Sequence, residues 1–159
     1  MKNEDLHKEL ELIQDIIKRM ADNSFKLKAW LLTVMGGVLA LSKDILFVSK
    51  ETSVNNYAVY GLISFLILLI ILFWYLDGFF LRTEKLYRNL YQWVIQCRPV
   101  TEEYLFDLNT FKRTCKGKEK DIEAETDSIL KVMFSKTLLP FYLLPLLFVL
   151  VIMFLVQNS

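Results

Sequence analysis

Asp77 lies in the run Phe73-Trp74-Tyr75-Leu76-Asp77-Gly78-Phe79-Phe80. A carboxylate among aromatic rings is costly unless a cation or water meets it. Arg82, five residues on, is poorly placed on the same helix, whereas Lys26 and Lys28 sit at a matching depth on an earlier segment. An ion pair between Asp77 and Lys26 or Lys28 is therefore expected, with gating or ligand binding as the alternative use. A second charge pair, Lys43–Asp44, interrupts an apolar stretch. It either neutralises itself at an interface or faces a water-filled path, because charges within a membrane usually face a bundle interior or a cavity. Lys112, Arg113, Lys116, Lys118 and Lys120 form a dense basic run. Point charges of this kind suit lipid phosphates at a membrane surface, or a nucleotide or nucleic acid. A solvated basic loop with no ligand is the third reading.

Other reactive side chains are few. The spacing of Cys97 and Cys115 matches no zinc pattern, and His7 is the only histidine. No metal or cofactor site is expected. The chain has no glycine-rich phosphate loop, no paired catalytic carboxylates on a plausible scaffold and no Ser/His/Asp set. An enzyme is not expected.

The elements that must hold these residues are mostly apolar. Hydrophobic residues make up 54% of the 159-residue chain. The sequence is uncharged from Ser53 to Leu76 and again from Thr137 to Val156, and a third apolar stretch begins at Ala29. Each is near the roughly 20 residues that a helix needs to cross a bilayer. The charged N-terminal segment does not resemble a cleavable signal peptide.

One stripe joins the charged N-terminal segment to the first span: Leu6, Leu10, Ile13, Ile17, Met20, Ser24, Leu27, Leu31, Val34, Val38 and Leu41. Its 4-3 spacing is the 3.5-residue period of a helix–helix seam. A single helix from about Glu4 to about Ser42 follows, the alternative being a helix lying flat on the bilayer. The second span continues past the membrane with a stripe of Leu76, Phe80, Thr83, Tyr87, Leu90 and Val94, beside a row of Phe79, Leu86 and Trp93. It is expected to stop at Pro99. Gly36, Gly37 and Ala40 give the first span a face of small residues that allows close backbone approach in lipid.

Orientation follows from Lys and Arg. Segment 1–28 carries six, segment 82–136 carries eleven, and the tail Gln157-Asn158-Ser159 carries none. The positive-inside rule then puts the N-terminus in the cytoplasm and the C-terminus outside. On that topology Cys97 and Cys115 are cytoplasmic and expected to stay reduced.

The fold expected is an all-α membrane protein with three transmembrane helices and an antiparallel cytoplasmic helical hairpin extending spans one and two. Residues 1–98 would hold the cytoplasmic helix, both spans and the second extension. Residues 99–136 would be an irregular cytoplasmic connector with the basic loop, turning helical from Asp121. Residues 137–159 would be the third span and a short external tail.

Three landmarks carry a resemblance: Asn23-Ser24-Phe25-Lys26-Leu27-Lys28-Ala29-Trp30, the run from Trp74 to Arg88, and Phe134-Ser135-Lys136-Thr137-Leu138-Leu139-Pro140-Phe141-Tyr142. Together they resemble small bacterial inner-membrane proteins associated with phage-defence loci. More loosely, the helix–span–span–helix order is similar to two-span membrane effector domains of nucleotide-signalling systems, from which the third span departs. The resemblance implies oligomerisation and altered permeability of the bacterial inner membrane, and assigns no functional residue. The leading expectation is thus a homo-oligomeric inner-membrane effector or accessory protein, with Gly36, Gly37, Ala40, Lys43 and Asp44 lining a path or packing. The alternative is a membrane anchor that recruits a cytoplasmic protein partner. A transporter subunit is the least favoured, because no internal repeat is visible.

Overall fold

The computed structural model describes residues 3–42, 56–98, 101–115 and 117–157. Helix α1 runs Asn3–Leu41 and α2 runs Asn56–Cys97. A two-stranded antiparallel sheet follows, β1 at Lys112–Cys115 and β2 at Lys118–Asp121. A short helix α3, Ile129–Met133, precedes α4, Leu138–Gln157. Three of these helices are long and apolar enough to cross a membrane.

The local causes are readable. Glu4 and Asp5 occupy the first turn of α1, where negative charge meets the positive end of the helix dipole. Gly117, just before β2, has φ +73°. Glycine adopts that left-handed conformation without the steric cost of a Cβ. Ser128 starts α3, its hydroxyl accepting from the Lys131 N–H at 3.4 Å. Ser135 does the same for Leu138 at the head of α4.

The strand pair corrects the all-α expectation, and it occupies part of the stretch read as an irregular connector. Asp121 ends β2 and turns follow it, so the helix expected from Asp121 begins only at Ile129.

The α1 stripe also needs a correction. From Ile13 through Ser24 and Leu27 to Leu31 its residues are buried or half-buried, but Val34 is 39% exposed and Leu41 87%. Met35 and Ser42 are buried instead. A straight α-helix drifts about 20° per heptad against a 3.5-residue repeat. Over five heptads that drift moves the buried row one position along the sequence. In α2 the buried row Val59, Ile63, Leu66 and Ile70 keeps 4-3-4 spacing, and Asp77 falls on its continuation.

The chain forms two compact units. One comprises Met1–Ser24 and Gly78–Val132; the other comprises Phe25–Asp77 and Met133–Ser159. In the first, Ile13 of α1 is buried with Leu86, Leu90, Trp93, Val94 and Cys97 of α2 and with Ile122. Gln14 donates to the Tyr91 hydroxyl at 3.0 Å in the same unit.

Candidate functional site

In the second unit, α2 buries Asp77 completely. Both Lys28 and Tyr142 reach its carboxylate. Lys28 Nζ of α1 lies 2.5 Å from Oδ2, and the Tyr142 hydroxyl of α4 donates to Oδ2 at 2.9 Å. Lys28 retains 24% side-chain exposure and also stands 5.9 Å above the Phe141 ring. Tyr142 is fixed by stacking on Trp74, with ring centres 5.9 Å apart and planes 9° from parallel. Trp74 is fixed in turn, donating from Nε1 to the Met133 carbonyl at 3.0 Å and meeting Phe134 edge-on at 5.3 Å. Residues of α1 and α4 thus converge on a carboxylate of α2. Of the two lysines matched by depth, the structure brings Lys28 to Asp77.

A carboxylate answered by an ammonium and a phenol is an electrostatic clasp. It adds a directional polar link between the three helices to their apolar packing. Its second oxygen partner, Tyr142, had no sequence signal beyond a tyrosine near the start of the third span.

The other sequence-derived residues are scattered. Gly36, Gly37 and Ala40 lie together on an exposed face of α1, and a Cβ added at Gly36 or Gly37 would meet nothing within 4 Å. Lys43, Asp44 and Lys116 lie outside the described residues.

In the first unit the basic run is divided by the strand pair. Register sets Lys112 opposite Asp121, Arg113 opposite Lys120, Thr114 opposite Glu119 and Cys115 opposite Lys118. Lys112 pairs with Glu119 at 3.5 Å, and Lys120 with Glu125 at 3.0 Å. Arg113 is only 2% exposed, which removes it from any lipid or nucleotide surface. Its guanidinium instead holds the preceding loop, donating to the carbonyls of Asp107 and Asn109. It lies 5.0 Å from the Trp93 ring centre and 5.2 Å from that of Tyr104. Burial pushes the Arg113 guanidinium down from its ordinary value, against the opposing pull of Asp107.

Sequence reasoning missed the buried pair of this unit. Glu9 and Arg98 are both fully buried and meet in a two-pronged contact, Nε to Oε2 at 2.6 Å and Nη2 to Oε1. Arg98 also donates to the carbonyls of Glu103 at 2.6 Å and Tyr104 at 2.8 Å. Glu9 additionally accepts from the Phe106 N–H at 3.3 Å. Tyr104 and Phe106 have positive φ, 67° and 59°, so the loop is bent to reach the pair. The available signal was Glu9 four residues before Ile13 on the apolar side of α1.

Cys97 and Cys115 form a disulfide with Cα atoms 5.7 Å apart. The structure joins the two thiols that the sequence reading expects to be reduced. That expectation came from compartment alone, and the fold brings two residues 18 apart within bonding range. Among the described residues no cluster of His, Cys, Asp and Glu is arranged to hold a metal. No protein-family model, curated protein or solved structure matches the chain.

Proposed function

We propose that the chain is a homo-oligomeric bacterial inner-membrane effector or accessory protein that alters membrane permeability. The observation that carries this reading is the face of Gly36, Gly37 and Ala40. It is exposed, and a Cβ at either glycine would meet no atom of the described residues within 4 Å. Helices associating in lipid use small residues because close backbone approach maximises packing where no hydrophobic drive exists. A second copy of α1 is the occupant that such a face fits.

Asp77 is closed by Lys28 and Tyr142 and takes a structural role. Any path for ions or solutes therefore runs between copies, beside the glycine face. The order of contacts in the first unit, Glu9 with Arg98 and Gln14 with Tyr91, supports an antiparallel pairing of the outer segments of α1 and α2. The basic residues of segments 1–28 and 82–136 support a cytoplasmic position for both. The landmark segments' resemblance to phage-defence membrane proteins supports defence as the setting.

The test is the mass of the purified chain in nanodiscs, by light scattering corrected for lipid, together with dye release from vesicles. Four or more subunits, reduced to fewer by Gly36→Ile and Gly37→Ile with loss of release, is the expected result. A monomer that releases no dye refutes it. That outcome favours the adaptor reading, for which the exposed Phe106 and Phe111 of the first unit offer a docking surface.

A further inference from the structure

We propose that Cys97 and Cys115 are a peroxide-responsive thiol pair, with Cys115 as the reacting thiol and Cys97 as the resolving one. The inference rests on the cytoplasmic reading of segment 82–136 given above. In that compartment thiols are held reduced, and a disulfide that forms there is typically transient, catalytic or sensing.

Three observations assign the roles. Cys97 is 3% exposed, within the core formed by Ile13, Leu90, Trp93 and Val94, whereas Cys115 is half-buried at the end of β1. Only Cys115 is open to a small oxidant. The strand register then sorts the charges. Residues directly opposite one another in an antiparallel pair share a face, and alternate residues along a strand do too. Cys115 therefore shares its face with Arg113, Lys118 and Lys120, with Lys118 directly across. Both β2 acids, Glu119 and Asp121, fall on the other face. Asp107 stands 3.5 Å from Arg113, and Glu125 pairs with Lys120, so those two cations are partly answered. Lys118 is exposed and adjoins the sulfur's own position. Cations beside a thiol lower its pKa and raise the thiolate fraction, and the thiolate is the nucleophile. Lastly, the partner sulfur is already within bonding range.

The chemistry balances with hydrogen peroxide as oxidant. The Cys115 thiolate attacks one peroxide oxygen, the O–O bond breaks, and hydroxide leaves, giving a sulfenic acid. The Cys97 sulfur attacks the Cys115 sulfur, the S–O bond breaks, and the oxygen leaves as water with the Cys97 proton. Two thiols lose two electrons and one peroxide becomes two waters. A cellular dithiol reverses the step by exchange. The bond ties the end of α2 to β1 across 18 residues. Closing a loop of that size should raise protection of the first unit against local opening roughly 100-fold.

The experiment uses the full chain in living cells. Acid quenching followed by a maleimide–polyethylene glycol tag counts free thiols on a gel, before and after a pulse of hydrogen peroxide. Two tags before the pulse, none after it, and recovery of both on peroxide removal is the expected sequence. In the Cys97→Ser variant, dimedone should label Cys115. Lys118→Glu should slow oxidation several-fold while leaving the fold intact, since Lys118 is exposed. No tags before the pulse means a constitutive disulfide and overturns the proposal, as do two tags throughout, a disulfide-linked dimer, or an unchanged rate in Lys118→Glu. A phosphatase fused to the C-terminus separates the two failures. If it is inactive, the orientation has failed; if it is active and the pair is constitutively oxidised, the switch alone has failed.

Discussion

Replacing Arg98 by Met should unfold the first unit's loop and weaken the whole unit. Arg98 donates four hydrogen bonds, two to Glu9 and two to loop carbonyls, and no part of its side chain reaches solvent. Methionine preserves the aliphatic stem and removes every donor. Glu9 is then a buried carboxylate with the Phe106 N–H as its remaining donor from that network. Removing one partner of a buried ion pair costs about 3–5 kcal/mol, because the other charge is left uncompensated. Total stabilities of about 5–15 kcal/mol make that a large fraction. At about 1.4 kcal/mol per factor of ten, amide exchange in the first unit should accelerate by roughly two to three and a half orders of magnitude. The assay is hydrogen exchange with mass spectrometry in nanodiscs, comparing peptides from 78–132 with those from 138–157. The double variant Glu9→Leu with Arg98→Met removes both charges and should recover most of the loss, because replacing a whole buried pair by apolar groups is often neutral or stabilising. A single variant costing less than about 1 kcal/mol, or a double variant no better than the single, would refute the reasoning.

Further outcomes follow from the other charged contacts. In the second unit, Lys28→Met should destabilise more than Asp77→Asn: the first takes the ammonium from a fully buried carboxylate, while the second takes the carboxylate from an ammonium that is partly exposed already. Tyr142→Phe should cost about 1.5–3 kcal/mol, the range for a hydrogen bond to a charged group; thermal unfolding of all three variants in one detergent ranks them. Hydrogen bonds from Lys131 and Lys85 hold the Asp127 carboxyl below its usual range. A lowered folded-state value makes its stabilisation fully present above the unfolded value, about 4, and lost as pH falls through the folded one. Acid titration should therefore loosen the 123–131 region below about pH 4, and Asp127→Asn should abolish that step in the exchange of those peptides.

Much of the helical framework could be read from sequence because it depends on long, locally periodic patterns. From Asn56 the uncharged run 53–76 lies in α2, and from Leu138 the run 137–156 lies in α4, while the α1 stripe marks one unbroken helix. The strand pair was hidden because its residues, KRTC and KEKD, are mostly charged and carry no apolar alternation. Asp77 stood out because its neighbours are aromatic, so the cost of leaving it alone was visible locally. Glu9 sits in a charged segment and Arg98 just past an apolar helix end, and apart from Glu9's place four residues before Ile13 nothing local marks either as buried; their pairing exists only once α1 and α2 are packed. The disulfide was hidden for the same reason, since Cys97 is set by helix packing and Cys115 by strand register.

The Glu9–Arg98 pair spans 89 positions, and this separation sets the order in which the chain can mature. During synthesis at roughly 5–20 residues per second, Glu9 precedes Arg98 by about 4–18 s. For most of that interval the α2 residues against which Leu6, Leu10, Ile13 and Ile17 pack have not yet been made, and an amphipathic helix is exposed to whatever apolar surface is nearest. Because both the first 24 residues and segment 78–132 build the same unit, a ribosome that stalls between them releases a chain with one charged helix, its apolar stripe open and Glu9 unanswered. Such a truncated product should be a preferred substrate for chaperones and membrane proteases, and quality control of this protein would then read the arrival of a single arginine.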